Sequence, residues 1–137
     1  MTHRIVVRSA AAGDVEAIYR LLKPFAQKDI ILERSRDNIF QHLQEFLVAE
    51  YNGALAGVVC VHIYGENLAE VRSLVVDPEY QKHGVGRLLV EGCERWVVGL
   101  GVAKLFAVLL PSRPEKICCE YGENCTINQH RFFIHRQ

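Results

Sequence analysis

The sequence predicts an α/β (α+β) fold in which a mixed, mostly antiparallel sheet is flanked by helices. Three observations predict it. Apolar residues recur at helical spacing in separate stretches, three strand-like segments follow one another across short turns, and a strand, a helix and a further strand come after them in that order. The last arrangement implies a right-handed crossover and hence a parallel pair within an otherwise antiparallel sheet. With 137 residues, 50% of them apolar, the chain suits one domain with a genuine core, spanning 1–137.

Ile5-Val6-Val7 followed by Ser9 reads as a short opening strand. Asp14 is a good N-cap for a helix whose apolar face is Val15, Ile18, Leu22 and Phe25. Ser35 can cap a second helix reaching Leu43, and Phe46 to Tyr51 is a strand. Asn52-Gly53 then supplies two residues that tolerate the positive φ of a type I′ turn, which predicts a hairpin returning through Ala54 to Tyr64. A third strand, Leu68 to Val76, stops at Asp77-Pro78, because proline cannot donate to the ladder. From Val85, the residues Leu88, Leu89, Trp96 and Val97 keep helical spacing until Gly99 and Gly101, so Trp96 reads as core. Lys104 to Leu110 is an apolar strand, Pro114 to Tyr121 a short helix and Arg131 to His135 a last strand. The strands ending at Val76 and Leu110 form the expected parallel pair.

Sixteen basic residues balance sixteen acidic ones. No overall field attracts nucleic acid or an anionic membrane, so an anionic ligand must be held locally. No stretch approaches the ~20 apolar residues of a membrane span, and the N-terminus lacks a signal-peptide core. The expectation is a cytoplasmic protein with neither a membrane nor a nucleic-acid partner. Of the five cysteines, Cys60 and Cys93 sit in apolar patterns, and Cys118, Cys119 and Cys125 lack a second C-x-x-C pair. Free thiols are expected. His62 and His83 show no metal-ligand spacing, so no metal is predicted and both read as solvated or hydrogen-bonded side chains.

The chemistry concentrates between Leu74 and Leu89, where a strand end meets a helix start. Gly84 and Gly86 remove side chains that would keep a diphosphate from the backbone. Successive N–H groups and the helix dipole there make an anion cradle, and Lys82, His83 and Arg87 add positive charge. A dinucleotide-binding fingerprint would need Gly-x-Gly-x-x-Gly after the first strand of a βαβ unit, whereas this strand belongs to an antiparallel run. A Walker loop would need Gly-Lys-Ser/Thr, which is absent.

Gln81-x-x-Gly84-x-Gly86, preceded by Leu74-Val75-Val76-Asp77-Pro78, resembles the Gln/Arg-x-x-Gly-x-Gly/Ala signature and adjoining strand of the GNAT acetyltransferases. The resemblance implies a splayed central parallel strand pair and acetyl-CoA as cosubstrate. It assigns the pyrophosphate to Gln81, Lys82, His83, Gly84, Val85, Gly86 and Arg87, and the pantetheine arm to the backbone of Leu74, Val75 and Val76. From about Ile18 to Phe106 the chain is further similar to single-domain N-acetylglutamate synthase-like proteins. Leu22-Lys23-Pro24-Phe25-Ala26, Ile31-Leu32-Glu33-Arg34-Ser35, Phe46 to Glu50 and Leu68 to Val76 carry that similarity. It implies that the acceptor is the amine of glutamate or a similar amino acid.

Period-two alternation puts Glu70, Arg72 and Leu74 on one strand face. An amine must lose a proton before it attacks a thioester, and the resemblance implies that Glu70 takes it; an ion pair with Arg72 is the structural alternative. A backbone N–H near Val75 suits the developing oxyanion. Arg34 and Arg72, with Lys28 behind them, are candidates to grip substrate carboxylates.

After Lys104-Leu105-Phe106-Ala107 the chain departs from the family pattern, so from about residue 109 it is divergent, truncated or frame-altered. Ser112 and Tyr121 are the hydroxyls available there to protonate the leaving thiolate. That departure motivates a second functional class, a CoA-binding module without catalysis. An incomplete sheet edge makes a homodimer a candidate assembly.

Overall fold

In the computed structural model, which describes residues 4–28, 31–108, 125–128 and 131–135, the opening strand β1 (Ile5–Ser9) pairs antiparallel with β2 (Phe46–Tyr51), from Ile5↔Tyr51 to Ser9↔Leu47. The type I′ signal holds: Asn52 and Gly53 have φ of 49° and 89° and turn β2 into β3 (Ala54–Gly65). The two strands pair from Phe46↔Cys60 to Tyr51↔Ala54, with an irregularity between Ala49 and Glu50.

The chain divides into two compact units, Met1–Cys60 with Ser73–Gly92 and Val61–Arg72 with Cys93–Gln137. In the first, α1 (Val15–Gln27) buries Val15, Ile18 and Leu22, as the apolar spacing requires, and α2 (Arg36–Gln41) adds Ile39. These four pack with Phe46, Val48, Val58, Cys60 and Val75. Each buried aliphatic side chain of this kind contributes about 1.5–3 kcal/mol. Ser35 caps α2 as expected, its Oγ accepting from Asn38 N at 3.1 Å. The helix ends at Gln41 rather than Leu43, which opens a short 3-10 turn, Leu43–Glu45. Asp14 occupies the N-cap position of α1 without capping through its side chain. Its carboxylate instead accepts from Ala11 N at 2.7 Å and from both terminal nitrogens of Arg8, at 2.7 and 2.9 Å. A charged fork out-competes a single amide.

In the second unit, β4 (Leu68–Val76) follows β3 through a turn at Glu66 and Asn67. It pairs with β5 (Lys104–Val108) in parallel, Ala69↔Leu105 through Val71↔Ala107. That is the predicted crossover pair, although β5 ends at Val108; 109 and 110 lie outside the described residues. On its other edge β5 pairs antiparallel with β7 (Arg131–His135), and β7 with β6 (Cys125–Asn128), a strand the sequence reading did not anticipate. Strand order is thus β1-β2-β3 in the first unit and β4-β5-β7-β6 in the second, with β3 and β4 belonging to both. The predicted helix from Pro114 to Tyr121 falls outside the described residues.

α3 (Val85–Gly99) also belongs to both units. Its buried positions are Val85, Leu89, Val90, Cys93 and Val97, whereas Leu88 and Trp96 are half-buried, so Trp96 is at the margin and not in the core. Gly101, at φ 81°, closes the helix with Val102 N donating to Val97 O at 2.9 Å. Cys60 and Cys93 are both buried. Among the described residues, no helix is long and apolar enough to cross a membrane.

The start of α3 sits where it does because Gly57 of β3 has no side chain. A Cβ there would lie 3.0 Å from both Leu89 Cδ1 and Val85 Cγ1 and 3.1 Å from the Val75 carbonyl oxygen. Close approach of another element explains a glycine inside a strand. Gly57→Val is therefore expected to push α3 off the strand. Overpacking of this kind costs about 2 kcal/mol, or a fall in Tm of roughly 8 °C by thermal denaturation, with weaker acetyl-CoA binding alongside.

Candidate active site

β4 ends where the Asp77 N–H donates to Ala56 O at 2.8 Å, which ties the strand end to β3. Asp77 then caps the 3-10 turn Pro78–Tyr80, its Oδ1 accepting from Glu79 N at 2.9 Å. From Gln81 the chain runs exposed into α3, with Lys82 at φ 69° and Gly84 at φ 86°. Gly84 pays no steric cost for that conformation. The first α-helical bond of α3 runs from Leu88 N to Gly84 O, at 3.0 Å. The first-turn N–H groups before it, Val85 and Gly86 among them, have no acceptor within the helix. They lie at the positive end of its dipole.

A Cβ on Gly84 would meet nothing within 4 Å, and one on Gly86 only Val76 Cγ2 at 3.5 Å. The space over the first turn is open because side chains are missing from it. A diphosphate fits that space chemically: bare amides, a positive dipole and no side chain in the way.

The flanking side chains are less free than their charges suggest. Gln81 Nε2 donates to Val76 O at 3.3 Å and so braces the loop against the strand end. Lys82 is exposed, and the His83 ring packs 5.1 Å from that of Tyr51, which also meets Tyr80 at 5.2 Å. Arg87 Nε donates to Glu91 Oε1 one turn on, at 3.0 Å. Its charge is partly matched by that pair, whereas Lys82 is exposed.

On the same unit Arg34 is half-buried, and three contacts hold its guanidinium. Nη1 donates to Asn38 Oδ1 at 3.0 Å, Nη2 approaches Cys60 Sγ at 3.6 Å, and the plane lies 5.2 Å from the centroid of Phe46. With Tyr19, Leu22, Lys23, Gln27 and Glu33 it lines a hollow. Lys28 is exposed at the C-terminal end of α1.

The second unit carries Glu70 and Arg72. Arg72 Nε donates to Glu70 Oε1 at 2.7 Å, so the ion pair foreseen as the structural alternative does form. The Glu70 side chain is 12% exposed and that of Arg72 38%. Burial works against the guanidinium charge, but the hydrogen bonds to Glu70 and Tyr64 outweigh it, and the Arg72 pKa is raised. Tyr64 completes the group. Sequence reading passed over it, although the two-residue turn at Glu66 and Asn67 brings positions 64 and 70 together.

Glu70 and Arg72 are half-buried while Ala69 and Val71 beside them are buried, the alternation a strand imposes. Ser73 has φ 52°, a left-handed conformation inside the strand. Parallel pairing with β5 stops at Val71↔Ala107, while β4 continues to Val76. Leu74, Val75 and Val76 come after that paired stretch of β4, and residues 109–124 lie outside the described residues. Of the remaining predicted site residues, Ser112 and Tyr121 lie outside the described residues. His62 is half-buried, its ring edge-on to that of Tyr64 at 4.7 Å.

Residues 15–115 match the acetyltransferase (GNAT) family. An uncharacterized N-acetyltransferase of Chlorobaculum tepidum is 41% identical over 106 residues, covering 77% of this chain and 68% of that protein. An amino-acid acetyltransferase of Neisseria meningitidis is 31% identical over 105 residues, 76% of this chain but only 24% of the relative. The chain thus spans about a quarter of that enzyme's length. Among solved structures, N-acetylglutamate synthase from Neisseria gonorrhoeae, complexed with coenzyme A and N-acetyl-glutamate, superposes with TM-score 0.82 and 25% identity over 97% of this chain and 36% of its own. A Mycobacterium tuberculosis protein in complex with CoA gives TM-score 0.77 and 28% identity, covering 90% and 76% respectively.

Proposed function

The chain belongs to the acetyltransferase (GNAT) family, and from that membership we propose that it transfers the acetyl group of acetyl-CoA to the amino group of a glutamate-like amino acid in a direct ternary complex, acting in the cytoplasm as one domain. The observation that carries this reading is the open first turn of α3, where a Cβ on Gly84 would meet nothing within 4 Å. The likeness to a synthase solved with coenzyme A and N-acetyl-glutamate supports the acceptor class.

In this reading Gln81 to Arg87 hold the pyrophosphate, with the backbone of Leu74, Val75 and Val76 along the pantetheine arm. Acetyl-CoA supplies an activated thioester. The acceptor arrives as an ammonium ion, and Glu70 removes one proton so that the nitrogen lone pair can attack the carbonyl carbon. The N–H near Val75 donates to the oxyanion that develops. Collapse breaks the C–S bond, and the second nitrogen proton passes to the departing sulfur, leaving the neutral amide and CoA thiol. CoA thiol has an ordinary thiol pKa, so the departing thiolate needs little assistance, and Ser112 and Tyr121 are the candidate donors. Arg34, Arg72 and Lys28 answer the acceptor's carboxylates.

Incubation with acetyl-CoA and a panel of amino acids, read by thiol release, tests the proposal. Turnover is expected with L-glutamate or a close analogue. Acetyl-CoA binding without turnover of any amine would overturn it in favour of a binding module.

A further inference from the structure

We infer that Tyr64 is a positioning residue for the transfer: with Arg72 it occupies one oxygen of Glu70, leaving the other as the oxygen that takes the acceptor's proton. The inference rests on Glu70 being the base proposed above. Tyr64, Glu70 and Arg72 close a ring of three hydrogen bonds. Tyr64 Oη and Arg72 Nε both lie 2.7 Å from Glu70 Oε1, and Arg72 Nη2 lies 2.5 Å from Tyr64 Oη.

Donor accounting fixes the direction of every bond in that ring. A guanidinium can only donate and an ionised carboxylate can only accept. Tyr64 therefore accepts from Arg72, which commits its own proton to Glu70. Oε1 then faces two donors, as many as its two lone-pair directions accommodate. Oε2 takes neither bond. A proton arriving at Glu70 goes to Oε2, and the carboxylate plane is set before the acceptor binds. Fixing a group in its productive orientation beforehand removes an entropic cost from the reacting complex.

The tyrosine has no packing reason to be one. It is 53% exposed. Its ring meets His62 edge-on at 4.7 Å, stacks on Phe106 at 6.3 Å and lies 5.5 Å from the Arg72 guanidinium. Phenylalanine would keep all three contacts. The hydroxyl is what tyrosine adds, and both of its bonds fall within the ring of three.

The test is a double-mutant cycle of Tyr64→Phe and Glu70→Gln, with steady-state kinetics on acetyl-CoA and L-glutamate. Tyr64→Phe is expected to melt like the parent and to lower kcat about tenfold, within the share that acid–base catalysis supplies, with the KM for acetyl-CoA unchanged. In the Glu70→Gln background it should cost nothing further, because the two residues act as one unit. Parental kcat in Tyr64→Phe, or the same loss in both backgrounds, would overturn the inference while leaving Glu70 as base. Parental kcat in Glu70→Gln would instead remove the base and this inference with it. A readout independent of turnover is the Glu70 carboxyl resonance in protein labelled with 13C-glutamate. It should move in Tyr64→Phe at neutral pH, and an unmoved resonance would equally overturn the inference.

Discussion

Gly86→Glu is expected to abolish acetyl-CoA binding while leaving the protein folded. A Cβ at this position meets only Val76 Cγ2, at 3.5 Å, an ordinary contact, and Gly86 is not among the glycines with positive φ. Glutamate is a good helix former, and in the first turn of α3 its charge complements the dipole. The empty protein should melt at the parental temperature or slightly above it. The carboxylate would extend into the space proposed for the pyrophosphate, adding volume and like charge where bare N–H groups would otherwise face an anion. Affinity should fall by at least ~100-fold, which is ~2.7 kcal/mol, measured by calorimetry. Folded protein that binds acetyl-CoA within about threefold of the parent would place the pyrophosphate elsewhere.

Glu70→Gln is expected to lower kcat by ~10²–10⁴, the range that a positioned acid or base contributes. The amide oxygen still accepts from Arg72 and Tyr64, and the side-chain volume is conserved, so the fold should persist. Arg72 loses a charged partner, but it is 38% exposed and solvent screens much of that loss. The KM for acetyl-CoA should not change, since Glu70 is not among the residues proposed to hold it. If Glu70 served only as an ion-pair partner, the variant would lose a little stability and no turnover. The two outcomes separate cleanly in one set of kinetic and melting curves.

Most element boundaries were legible because their signals are local. Asn52-Gly53 bounds β2 and β3 through its own backbone preferences. Asp77-Pro78 ends β4 because proline has no N–H to donate. β2 and β4 accordingly span Phe46–Tyr51 and Leu68–Val76, as read. Signals that depend on competition fared differently. Asp14 has the right position for a cap, yet Arg8 and Ala11 take its carboxylate. Trp96 has helical spacing, but the buried face of α3 follows Val85, Leu89, Cys93 and Val97 and leaves it at the edge.

By itself the sequence determined the order of the elements from β1 to β5, the parallel pair within an antiparallel sheet and the pair of glycines at the start of α3. Each depends on residues adjacent in the chain, whose backbone preferences act before any tertiary contact forms. Only the tertiary structure decided that Tyr64 joins Glu70 and Arg72, that Arg34 rests on Phe46 and Cys60, and that Gly57 admits α3. The left-handed φ of Ser73 belongs with these, because serine has no preference of its own for that conformation inside a strand. Side-chain direction and close approach are set by partners distant in sequence, and a linear pattern carries no record of them.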